Sequence, residues 1–223
     1  MPLRKTPLVN GQYYHIFNRG VNKQPIFFVK RHYERAIETI KYYLTAKPPL
    51  RYSKFICLSK MNREILLKEI SHLEKQVDLI AYCLMPNHFH LLLKQNIDDG
   101  ISEFVKRFQI SYTLFFNTKH KREGPLLNGQ FKAVLIEDDN QLLHLSRYIH
   151  LNPHTSYKVR NLFQLLNYEW SSFPEYLKKT QNEICSKDII LTLFKSNELY
   201  KEFVLDNADF QRKLGNIKHL LLE

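Results

Sequence analysis

The chain has 223 residues, 44% of them apolar, enough for the packed core of one domain with an extension. Lysine and arginine outnumber aspartate and glutamate by 33 to 22, giving a formal charge of +11 and an isoelectric point near 9.5, a balance that suits a polyanionic partner, nucleic acid first. Cys57, Cys83 and Cys185 form no C-x-x-C pair, the start MPLRKTPLVNGQYYHIF lacks the apolar run of an export signal, and no window approaches the roughly 18 apolar residues of a membrane span. Membrane and export classes are set aside, and a reduced cytoplasmic protein is expected.

In chain order, QYYHIFNR at 12–19 mixes aromatic and β-branched residues and reads as a first strand ending in a turn at Gly20. Tyr33, Ile37, Ile40 and Leu44 have helical spacing from Lys30 to about 45, and Pro48-Pro49 ends that helix. A second helical pattern covers about 61–75. VDLIAYCLMPNHFHLLLK at 77–94 is two apolar runs parted by Met85-Pro86-Asn87, which predicts neighbouring strands joined by a short turn.

Helical spacing returns over 101–119 through Ile101, Phe104, Val105, Phe108, Tyr112 and Phe115, followed by a loop, HKREGPLLNGQ. FKAVLIED at 131–138 is β-rich, and Asp138 to Asn140 supply N-cap candidates for a helix through QLLHLSRYIHL that is expected to stop at Asn152-Pro153. The order β-α-(α)-β-β-α-β-α predicts an α/β sandwich with a mainly antiparallel sheet over residues 1–156, and 157–223 reads as a C-terminal extension of loop and helix.

Within the second of the paired strands, His88-Phe89-His90 places two imidazoles on one face, Cα atoms roughly 6.5 Å apart, so that two neutral nitrogens can meet one divalent cation. The same triplet also suits a solvent-facing or hydrogen-bonded pair. On the last predicted core helix, Tyr148 and Asn152 stand four residues apart on one face, about one turn or 6 Å along the axis. A phenol and an amide oxygen can reach one site from there, although tyrosine is common in cores and Asn-Pro is a common helix end.

The string MPNHFHLLLK followed by a helix reading RYIHLNP resembles the REP-associated tyrosine transposases of the single-tyrosine HUH (transposase IS200-like) family, and the resemblance extends through YYHIFNRGVN, LLNGQFKAV and NYEWSS, about residues 11–177. It implies a ferredoxin-like α/β sandwich, the HUH endonuclease fold. It further implies that His88 and His90 bind a divalent metal, that Tyr148 attacks DNA, and that Asn152 is a third ligand. The expected reaction is cleavage and rejoining of single-stranded, hairpin-bearing DNA through a 5′-phosphotyrosine. Imidazole ligands make Mn²⁺ at least as suitable as Mg²⁺. The bulky Phe89 fits the apolar slot between the two histidines, whereas the long 45–76 segment departs from the family's pattern, and LLNGQF is less basic than its usual form.

Other groups compete for roles. His150 points about 200° round the helix from Tyr148 and reads as packing; His144, on the Tyr148 face, reads as a satisfied surface histidine or a proton acceptor. Asp138 and Asp139 read as helix-start residues. For phosphate contacts the candidates are Arg19 and Lys23 around Gly20, Lys106 and Arg107 on a helix, and Lys119, Lys121 and Arg122 in a basic cluster. Tyr13, Tyr14 and Phe17 are candidates for stacking on unpaired bases, although alternation sends about half of them to the core. The expected partner is single-stranded DNA with hairpin or palindromic repeats, with no small-molecule substrate, bound by a monomer rather than a dimer. Two rival readings are a non-catalytic regulator that binds structured DNA or RNA on a transposase-derived fold, and a hydrolase that uses H-x-H to activate water.

Overall fold

The computed structural model describes residues 7–180 and 183–208. Four strands, β1 (Tyr13–Arg19), β2 (Val77–Met85), β3 (His88–Gln95) and β4 (Lys132–Ile136), form an antiparallel sheet in the order β2-β3-β1-β4. Strand and helix order agrees with the sequence pattern: α1 (Lys30–Tyr43), α2 (Tyr52–Phe55) and α3 (Lys60–Ser71) lie between β1 and β2, α4 (Gly100–His120) precedes β4, and α5 (Asp139–Thr155) follows it. No helix among the described residues is long and apolar enough to cross a membrane.

The chain divides into two compact units. The first contains the described residues up to Asp78, with Pro86–His88 and Leu93–Leu135. Its core is built by period: β1 buries Tyr14, Ile16 and Asn18 and leaves Tyr13, His15 and Phe17 half-buried, so only Tyr14 of the three stacking candidates is lost to the interior. Helix α4 buries Ile101, Phe104, Val105, Phe108, Tyr112 and Phe116, a stripe at helical spacing, and packs on α1. Each such apolar side chain contributes about 1.5–3 kcal/mol by burial. The Tyr112 hydroxyl donates to the Ile26 carbonyl at 2.5 Å, tying α4 to the turn after β1. At that turn a Cβ on Gly20 would lie 2.3 Å from the Gln24 carbonyl oxygen, so only glycine fits.

The second unit contains Leu79–Met85, Phe89–Leu92 and the described residues from Ile136 onward. After α5 come α6 (Leu162–Leu166), α7 (Phe173–Tyr176), α8 (Asp188–Leu191) and α9 (Asn197–Leu205), a helical C-terminal part of which α6, α8 and α9 pack on α5. The NYEWSS stretch runs along β2: Leu84 N–H donates to the Trp170 carbonyl at 2.8 Å, Ser172 N–H to the Tyr82 carbonyl at 2.9 Å, and Cys83 and Ser171 form an antiparallel bridge. Because β2 ends the sheet order, these bonds satisfy backbone groups that an edge strand leaves open. The Tyr168 and Tyr176 hydroxyls add bonds to the Leu84 and Ile80 carbonyls, both 2.8 Å.

Helix α5 departs from expectation at its end. It does not stop at Asn152-Pro153 but runs to Thr155 with Pro153 inside. Proline in the last turn forfeits one backbone bond, and the turn is held instead at the Asn152 carbonyl, which accepts Ser156 N–H at 3.1 Å and the hydroxyls of Ser156 at 2.7 Å and Thr155 at 3.2 Å. At the other end Asp138 caps the helix, its carboxylate accepting Gln141 N–H at 2.8 Å, as expected for a helix-start residue.

Candidate functional site

Helix α5 brings Tyr148 and Asn152 onto one face because they are one turn apart, and that face meets His90 of β3. The Tyr148 ring stands edge-on to the His90 imidazole, centroids 5.6 Å apart at an interplanar angle of 86°. The Asn152 side-chain nitrogen lies 3.4 Å from His90 Nε2. His90 and Asn152 are 7% and 5% exposed, whereas Tyr148 is 39% exposed, so the ligand candidates are sheltered and Tyr148 is partly open to solvent.

Two features of this group bear on chemistry. Asn152 Oδ1 is buried without a hydrogen-bond partner among the described residues, a cost of about 1–3 kcal/mol that a cation at that oxygen would relieve. The Tyr148 phenol is pushed above its ordinary pKa mainly by burial, with Cys83 adding to the rise, while a hydrogen bond from the Asn152 side chain pulls the other way by favouring phenolate.

His88 opens the same strand two residues before His90, with Phe89 between them fully buried. Its neighbour Asn87 sets the state of its ring. Asn87 Nδ2 donates to the Lys23 carbonyl at 3.2 Å, which turns Asn87 Oδ1 toward His88 Nδ1 at 2.6 Å. A carbonyl oxygen only accepts, so Nδ1 carries the proton and Nε2 the lone pair, the tautomer a metal ligand requires. Sequence reasoning missed Asn87 as a positioning residue, although it sits in the PNHFH string already singled out.

Residues 51–152 match the family model described as Transposase IS200 like, a span that includes His88, His90, Tyr148 and Asn152. Over those residues the chain is similar to the IS200-like transposases. The fold of the chain is similar to that of a solved REP-associated tyrosine transposase bound to a REP hairpin, with a TM-score of 0.54 at 14% identity over 82% of this chain and 90% of that one. A crystal structure of a candidate transposase from Deinococcus radiodurans aligns at a TM-score of 0.37 and 13% identity over 66% of this chain and 95% of that one. No curated protein matches the chain.

The remaining candidates sort by what they touch. His150 is fully buried, bonded to the Ser172 and Tyr200 hydroxyls at 2.8 Å each, and burial lowers its pKa to about 3, so it is a packing residue. His144 Nδ1 meets Arg147 at 2.6 Å and its ring lies against Phe203, away from a proton-acceptor role. Arg122 is spent on its own loop, donating to Asn117 Oδ1 at 3.1 Å and the Pro125 carbonyl at 2.8 Å. Lys119 lies in the last turn of α4 rather than in the loop, and Lys121 is that helix's left-handed cap. Arg19 and Lys23 are exposed around Gly20. Lys106 and Arg107 share Glu103, at 3.0 and 3.5 Å, and with Lys119 they line one cavity.

Proposed function

We propose that this protein is a metal-dependent, single-tyrosine endonuclease and strand transferase acting on single-stranded DNA, with Tyr148 as nucleophile. The observation that carries the reading is the convergence on His90 of the half-exposed Tyr148 phenol and the buried, unpartnered Asn152 oxygen. Two imidazoles and an amide oxygen fit a first-row divalent ion such as Mn²⁺ at least as well as the harder Mg²⁺, and His88, His90 and Asn152 would hold it. When bound, that ion supplies Lewis-acid polarisation of a non-bridging phosphate oxygen.

The protein's own groups do the rest. Tyr148 Oη attacks phosphorus while the bond to the 3′ oxygen breaks; the phenol proton leaves to solvent, and the 3′ oxygen departs as a hydroxyl. The product is a 5′-phosphotyrosine beside a free 3′-OH. Attack by a second 3′-OH reverses the step and joins strands without a nucleotide cofactor, since the ester at Tyr148 retains the phosphodiester energy. The hydrogen bond from Asn152 favours the phenolate that attack requires, against a burial that disfavours it.

The charge of +11 suits such a substrate. The solved REP-associated transposase holds a hairpin, and the substrate expected for this chain is likewise a single strand carrying a hairpin or palindromic repeat. The test is incubation of an end-labelled hairpin strand with the full chain plus Mn²⁺ or Mg²⁺, and with chelator. Metal-dependent nicking at one position supports the reading; binding of the hairpin with no nicking under any metal would leave the non-catalytic regulator in its place.

A further inference from the structure

Helix α1, the 51–56 segment and α4 enclose a cavity of about 700 Å³, within the range that takes a small organic ligand. Its lining has two characters. Part is apolar: Ile110 and Leu114 on successive turns of α4 are 53% and 60% exposed, and Ile56 adds to them. Part is cationic: Lys106, Arg107 and Lys119 flank those two residues along α4, and Arg31 and Arg35 of α1 join them with Arg51.

The carboxylates nearby do not balance that charge. Glu103 is shared by Lys106 and Arg107, and Glu34 and Glu38 both pair with Arg31, so six cations meet three anions. The second oxygen of Glu38 accepts the Tyr52 hydroxyl at 2.9 Å and is occupied as well.

Arg35 is the decisive residue. It is only 3% exposed, it lies 4.4 Å over the Tyr52 ring and 5.1 Å over the Phe115 ring, and its Nε has no hydrogen-bond partner among the described residues. Burial lowers its pKa, the sign of a charge held where solvation is poor. A guanidinium held between two rings with its Nε unpartnered is oriented in advance for an anion at its terminal nitrogens.

An excess of three positive charges suits a phosphate monoester, at about −1.5 to −2, better than a single carboxylate. An exposed apolar wall within the same cavity calls for a flat, poorly solvated body attached to that phosphate. We infer that this cavity is a binding site for one phosphorylated nucleoside, phosphate toward Arg35 and Arg51 and base against Ile110 and Leu114. The site is independent of the Tyr148 chemistry. The same unit can arrive as a free mononucleotide or, with a singly charged diester in place of the monoester, as one nucleotide of a single strand.

Calorimetric titration of the full chain, metal-free and at low salt, tests this with dAMP, inorganic phosphate, deoxyadenosine and a short single-stranded oligonucleotide. The expected result is that dAMP binds roughly tenfold more tightly than phosphate or deoxyadenosine alone, and that Arg35→Met and Arg51→Gln each weaken it about tenfold while Lys68→Gln, which removes one charge from outside the cavity, does not. Loss of oligonucleotide affinity in the two arginine variants with no dAMP binding also supports the site and assigns its ligand to the strand. Retention of both affinities in Arg35→Met and Arg51→Gln overturns the inference. Arg51 is exposed, so its variant keeps the test decisive if Arg35→Met fails to fold. With metal absent, neither outcome depends on strand cleavage.

Discussion

The Tyr148 ring stands perpendicular to the His90 imidazole at 5.6 Å, with Asn152, one turn further along α5, meeting the same imidazole at 3.4 Å. That arrangement makes Asn152 a residue with two expected effects of opposite sign. Removing its side chain in Asn152→Ala deletes a buried oxygen without a partner, so the metal-free protein should keep its melting temperature or gain a little, corresponding to about 1 kcal/mol or less. The rise in melting temperature on adding Mn²⁺ should vanish in the same variant. A variant that melts far below the parent and still responds to Mn²⁺ would contradict the assigned role.

Asn87 acts through His88. Asn87→Ala frees the imidazole to change tautomer, and the expected loss is about 10–100-fold in Mn²⁺ affinity, with little change in the metal-free fold. Asn87→Asp retains an acceptor at Nδ1 and should recover most of the affinity. Equal affinities in parent and Asn87→Ala, measured by titration, would remove Asn87 from the account.

Helix α5 owes its position in part to the C-terminal helices. The Tyr200 hydroxyl on α9 bonds to Ser146 at 3.1 Å and to His150 Nδ1 at 2.8 Å, both on α5 and both buried. Tyr200→Phe strands those partners and should cost about 1–3 kcal/mol in urea unfolding. Cleavage should fall only as far as the folded fraction does, since Tyr200 touches none of the proposed reacting groups.

Stability should also depend on pH through His32. Its imidazole is buried in a cage of Phe28, Phe116 and His120, and burial first, then Lys119 and His120, lower its pKa from 6.5 to about 4. The folded state therefore binds fewer protons than the unfolded chain between those values, so stability falls as pH drops from 6.5 toward about 4 and is unaffected by this group above that window. Melting temperatures across pH 4–7 should fall less steeply in His32→Phe than in the parent. Parallel curves would show that another group governs acid sensitivity.

Much of the candidate site was legible because two short periods place side chains without knowledge of the fold. Period two puts His88 and His90 on one face of a strand, and the 3.6-residue turn puts Tyr148 and Asn152 on one face of a helix. What escaped depends on contacts distant in sequence. Asn87 gains its role from the Lys23 carbonyl, 64 residues away, and nothing local marks it. The bridge of Ser171 to Cys83 is too short to leave a strand pattern, so the covering of β2 was invisible. The helix end was misplaced at Pro153 because proline forbids one backbone bond but cannot reveal the hydroxyls of Thr155 and Ser156 that hold the next turn. Basic residues are the least legible: Arg122, tied to its loop, and Lys119, lining a cavity, look alike in sequence.

The most direct test is recovery of an SDS-resistant protein–DNA adduct from a labelled hairpin strand with Mn²⁺, parent beside Tyr148→Phe. The account predicts an adduct at the 5′ end of the nick in the parent, and in Tyr148→Phe neither adduct nor nick, with hairpin and Mn²⁺ binding retained. Persistent nicking by Tyr148→Phe would contradict it and point to water activated at the histidine pair.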